Sequence, residues 1–205
     1  MSLELVSAIS SVFTAVVIGA TAIAAIIQLR HMRMNNQINA LLTVQAEFDA
    51  EGYRDADLLV RKEFPEILND EGFCEYLIAL LNDQPSVENA RYGEARVAAR
   101  LVSNIYENLG TLVKRNIFDR DLFLDTYSFI IAIAWDGLEG FVALVRATTG
   151  QQSIYENFEF IATLSKDHLA ADPVTYPRGV RRLNPRVPAI AAKLLDSSSV
   201  RDVAR

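Results

Sequence analysis

The sequence predicts an all-α protein in which an N-terminal transmembrane helix continues into a cytoplasmic multi-helix bundle. Three observations predict it. A charge-free apolar stretch opens the chain, apolar residues then recur every three or four positions, and no segment alternates like a half-buried strand. At 205 residues the chain is long enough for one full-sized core and an anchor, and short for two domains. We read an anchor over 1–30, a helical domain over 31–171 and a basic, proline-containing tail over 172–205. Hydrophobic residues make up 51% and charged ones 22%, yet the mean hydropathy of +0.15 is high for a soluble protein, so apolar residues must be concentrated somewhere.

The concentration lies between Leu5 and Leu29, which hold no charged residue. A helix needs roughly 20 residues to cross a hydrocarbon core, so this stretch is long enough with room to tilt. Its twelve Leu, Ile, Val and Phe residues contribute on the order of −5 kcal/mol on the insertion scale. A cleaved signal peptide would open with basic residues, whereas the charged side chain before this segment is Glu4. Arg30 and Arg33 follow the stretch and none precedes it. As the membrane-edge basic residues they place the N-terminus outside and the domain in the cytoplasm. The competing reading is a buried core helix of a soluble oligomer, which is also apolar all round. Ser7, Ser11, Ala15 and Gly19 recur every four residues, a candidate stripe for helix association because small side chains let two backbones approach. Ile38, Leu41, Leu42 and Phe48 keep a helical spacing with no Gly or Pro before Gly52, so the helix continues past the bilayer.

Beyond Gly52 each element has its punctuation. A short helix from Tyr53 to Phe64 is expected to end at Pro65, and another spans Glu71 to Leu81. Ser86 is the expected N-cap of a long helix whose core stripe is Ala95, Ala98, Val102, Ile105, Leu109 and Leu112. Asp119 is expected to cap a second long helix through Leu122, Tyr127, Ile130, Ile131, Trp135, Leu138 and Val142. Its uncharged centre, Thr126 to Trp135, is too short for a bilayer and reads as the central buried helix. Ser153 and Glu156 fit a capping box for a last helix ending near Ala170. Pro173, Pro177, Pro185 and Pro188 then mark an extended or poorly ordered tail, with a short helix expected around Ala189 to Leu195.

The net charge of −6 conceals an asymmetry: residues 1–171 hold 13 Lys/Arg against 23 Asp/Glu, and 172–205 hold 7 against 3. An acidic body is a poor surface for nucleic acid, so no nucleic-acid partner is expected. The basic tail, with Arg178, Arg181, Arg182 and Arg186, suits anionic lipid head groups as well as it suits plain solvation. The single cysteine, Cys74, excludes an internal disulfide and reads as a core thiol. His31 and His168 lack the Glu three residues before them that a dimetal bundle requires. No G-x-S-x-G elbow, Walker loop or G-x-G-x-x-G is present. Glu156 with Glu159, and Asp136 with Glu139, are read as solvated or salt-bridged helix charges, and Trp135 as core. No catalytic residue, metal site or cofactor is expected.

The chain resembles bacterial proteins of domain-of-unknown-function family 4760. The residues that carry the resemblance are the exit Gln28-Leu29-Arg30, the early helix Tyr53-Arg54-Asp55-Ala56, and Asn104-Ile105-Tyr106-Glu107-Asn108-Leu109-Gly110 followed by Leu112-Val113 and Asp121-Leu122. Trp135, Leu138, Arg146 and Tyr155-Glu156-Asn157-Phe158-Glu159-Phe160 complete them. The resemblance implies one N-terminal membrane helix and a helical domain; it supplies no activity and no binding residues, and the tail after Asp172 lies outside it.

Function is therefore expected from architecture. The leading expectation is a noncatalytic module in the bacterial inner membrane that docks a protein partner or a second copy of itself. One alternative is an enzyme or small-ligand sensor with a pocket between the two long helices, where Asn104, Glu107 and Tyr127 supply polar groups. Another is a defence effector whose associated anchors perturb the bilayer.

Overall fold

The computed structural model describes residues 3–86, 89–171, 179–181, 183 and 186–191. Among them all regular structure is helical. The first helix, α1 (Leu3–Asp49), has 47 residues and is about 70 Å long at 1.5 Å per residue. Its described side chains are exposed as far as Asn36, and it is long and apolar enough to span a membrane. Farther along, Val44 is buried, and Ala40, Leu41 and Phe48 pack on the core. The Phe48 ring centroid lies 5.0, 6.0 and 5.7 Å from those of Tyr53, Tyr106 and Tyr127. One uninterrupted helix is thus open at one end and docked at the other.

An extended residue, Ala50 (φ −63°, ψ 135°), ends α1 and starts α2 (Glu51–Lys62). Pro65 does not terminate that helix. It stands in the first turn of a separate short helix, α3 (Phe64–Leu68), where proline is tolerated because no intrahelical N–H is required. The next helix, α4 (Glu71–Leu81), has the expected bounds; the Asp70 side chain caps it by accepting from the Gly72 N–H at 2.9 Å. The first long bundle helix, α5 (Ala90–Lys114), is capped by Asn89 rather than Ser86, its side chain accepting from the Arg91 and Tyr92 N–H groups. The second, α6 (Arg120–Thr149), is capped by Asp119 as its sequence predicts, at 3.1 Å to the Leu122 N–H. Gly150, left-handed at φ 70°, closes α6 at no steric cost.

The last bundle helix, α7 (Glu156–Ala170), lies against both α5 and α6, and α2 packs against α5 and α6 as well. Between them sit Tyr106, Phe123, Phe141, Phe158, Ile131 and Leu138, all fully or nearly fully buried. Trp135 meets Phe158 edge-on at 5.0 Å, and Tyr106 stacks on the same ring at 5.0 Å, offset and edge geometries that aromatic quadrupoles favour. Cys74 is half-buried and its thiol points to the Leu68 carbonyl at 3.3 Å.

Residues 174–205 form a second unit. Within it 189–191 are helical and Leu183 and Ile190 are exposed. Pro173, Pro177, Arg178, Arg182, Pro185 and residues 192–195 of the expected short helix lie outside the described residues.

Candidate functional site

The junction of α5 and α7 is where residues distant in sequence are most tightly interlocked. Tyr155 takes a left-handed conformation (φ 58°) and gives α7 no side-chain cap. Ser153 and Glu156 do not form the expected capping box, because this turn starts the helix only at Glu156. Glu107 of α5 supplies the missing acceptor. One carboxylate oxygen accepts from the Asn157 and Phe158 N–H groups at 3.0 and 2.9 Å, and the other accepts from the Asn157 amide at 2.6 Å. A negative charge at a helix N-terminus also interacts favourably with the helix dipole. One turn on, Gly110 makes the contact sterically possible: a Cβ there would lie 2.1 Å from the Asn157 carbonyl oxygen.

Ion pairs tie α7 to both long helices. Lys114 reaches Glu156 at 3.3 Å, and Arg146 donates to Glu159 at 2.6 Å and to the Ile154 carbonyl at 2.8 Å. Asp136 pairs with Lys166. Beneath the junction, burial raises the Tyr106 phenol well above its usual pKa, and the Tyr53 hydroxyl shares a hydrogen bond with it at 2.9 Å. Burial also raises Tyr53 and Tyr155.

The three polar residues expected to line a pocket between the long helices are therefore dispersed. Glu107 is committed to α7. Tyr127 packs on Phe48 and Phe123, and burial raises its phenol pKa. Asn104 alone faces an open cavity of about 410 Å³, whose wall includes Glu47, Tyr53 and Asn108. That cavity lies between the end of α1, α2 and α5, not between α5 and α6. It shares Gly52 and Leu101 with a larger one of about 600 Å³ along α2 and α5. Another, of about 350 Å³, lies between α4 and α5 beside Tyr76 and Tyr92. Sequence reasoning missed the α2–α5 opening. Its signal was the pair Val97 and Leu101, apolar and one turn apart but off the core stripe of α5.

The other candidate residues lie on α1. Ser7, Ser11, Ala15 and Gly19 are all exposed, and Arg30 and Arg33 are exposed at the end of the charge-free stretch. The Ser11, Thr14 and Thr21 hydroxyls donate to carbonyls four residues back at 3.0, 2.8 and 2.8 Å. Among the described residues no group of three or more His, Cys, Asp or Glu could hold a metal ion.

A family model described as Domain of unknown function (DUF4760) matches residues 15–164. No curated protein and no solved structure matches the chain. Of the residues in the family segments, Glu107 and Gly110 of α5 and Arg146 of α6 all bear on the start of α7 and the turn before it.

Proposed function

The chain belongs to the DUF4760 family of unknown function, and on that premise we propose that it is a noncatalytic, membrane-tethered interaction module. The observation that carries the reading is α1, whose apolar portion is exposed at every described side chain while its end is built into the bundle core. An uncovered apolar surface of that extent is costly in water. The back-bonded hydroxyls of Ser11, Thr14 and Thr21 suit a lipid setting, where polar groups must be satisfied within the helix. Arg30 and Arg33 favour a cytoplasmic bundle at the inner membrane of a bacterium. The noncatalytic part rests on the engagement of Glu107, Glu156, Glu159 and Asp136 with partners of their own.

The test separates tether, orientation and interaction. After lysis without detergent, the full chain is expected in the ultracentrifuge pellet, resistant to alkaline carbonate and released by mild detergent; recovery in the supernatant overturns the tether. Protease is expected to spare the bundle in intact spheroplasts and to digest it in inverted vesicles; the reverse overturns the orientation. A strictly monomeric protein that crosslinks to nothing in cells overturns the interaction role.

A further inference from the structure

Resting on that reading, we propose that the groove between α2 and α5 docks a basic amphipathic helix of a partner protein. The groove joins the cavities of about 600 and 410 Å³ through Gly52 and Leu101. Along α5 its lining runs from Ala90 to Asn108, about 27 Å at 1.5 Å per residue, which matches a helix of about 18 residues. The lining is apolar and partly exposed: Val97 is 56% and Leu101 37% accessible.

Two further features select the occupant. Every charged residue lining the groove is acidic, namely Glu47, Asp55 and Glu94, and none of them has an ion pair among the described residues. Arg54 nearby is held by Asp49 at 3.4 Å, and Arg91 and Arg100 are not part of the lining. Carboxylates rimming an apolar trough complement a helix with an apolar face and flanking Lys or Arg.

The second feature is glycine without an internal reason. Gly110 is required by Asn157, whereas Gly52 and Gly93 have nothing within 4 Å of where a Cβ would stand. Glycine in a helix is less stable than alanine, and neither residue has left-handed backbone to justify it. Both line the groove, with Ala56, Ala90 and Ala98. Small residues there leave space for a second helix to lie close.

The experiment uses the full chain in neutral nanodiscs, with empty nanodiscs as the control. Two fluorescent 18-residue amphipathic peptides share one Leu/Ala face; Lys flanks it in one and Glu in the other. Anisotropy is expected to show the Lys peptide binding at least tenfold tighter than the Glu peptide, and at least tenfold weaker to Gly93→Leu and to Asp55→Asn/Glu94→Gln. Circular dichroism checks that both variants stay folded, which the open space at Gly93 and the exposure of both carboxylates allow. Equal binding by wild type and Gly93→Leu, or no binding above the empty discs, overturns the proposal, as does self-association that Gly93→Leu abolishes, which assigns the groove to a second copy. Partner capture through another face alongside a failed peptide titration would remove the groove and leave the interaction module standing.

Discussion

Among the described residues two helices, α1 and α6, are long and apolar enough to cross a membrane, yet they stand in opposite surroundings. None of the most apolar stretch of α1 is buried, whereas 44% of that of α6 is. In α6 the buried face carries Ile131, Ala134, Leu138 and Phe141, while Asp125, Asp136 and Glu139 turn outward, Asp125 toward His168 and Asp136 toward Lys166. The outer part of α1 has no charged side chain between Leu5 and Leu29 and no buried one among those described. Passing a test of length and mean hydropathy therefore does not separate the two helices; the short uncharged run of α6 and its packed neighbours do, and they divide the molecule into parts that should fail independently.

The sharpest break in that comparison is one charge placed in each helix. Ile131→Lys buries an unpaired ammonium at a fully buried site and is expected to destabilise the bundle by on the order of 4 kcal/mol, seen as a collapse of the thermal transition in detergent. Ile18→Lys should leave that transition within a degree or two and reduce membrane retention, since lysine at a helix centre costs about 3 kcal/mol on the insertion scale. Equal losses of thermal stability would erase the distinction between the two helices.

Within the bundle, Gly110→Ala forces α5 and α7 apart and is expected to cost about 3 kcal/mol, read from denaturant midpoints, with membrane retention unaffected. Glu107→Ala strips the acceptor from two N–H groups and the Asn157 amide, an expected loss of about 2 kcal/mol. Hydrogen exchange at the Asn157 and Phe158 amides checks it directly; unchanged protection would mean that the cap is dispensable.

The smallest effect is a pH slope. Tyr53 and Tyr106 have raised folded pKa values, so the unfolded chain loses these protons first as pH climbs past about 10. Their contribution to stability is complete below that pH and falls above it, by at most about 1.4 kcal/mol per pH unit for each tyrosine. Melting followed from pH 8 to 11 should show the decline, and Tyr106→Phe should flatten it.

Most of the architecture was legible because it is written in local signals. Asp119 caps the residues that follow it, Glu71–Leu81 is bounded by polar breaks, and the spacing from Ala95 to Leu109 marks a buried face. What escaped depends on distant residues. The cap of α7 comes from a carboxylate 50 residues earlier, and nothing local distinguishes Ser153 with Glu156 from a working capping box. Pro65 stops a helix or opens one according to whether a new turn begins at Phe64. The groove was obscured for a related reason, since a glycine that admits a neighbour reads the same as one that merely weakens a helix.

The unbroken run of α1 from its open end to the contacts of Val44 and Phe48 fixes an azimuth. Each residue advances the helix by about 100°, so no swivel separates the outward half from the bundle's compass bearing. One residue inserted between Arg33 and Gln37 would turn the α2–α5 face by more than a quarter circle, while seven would restore it to within about 20°.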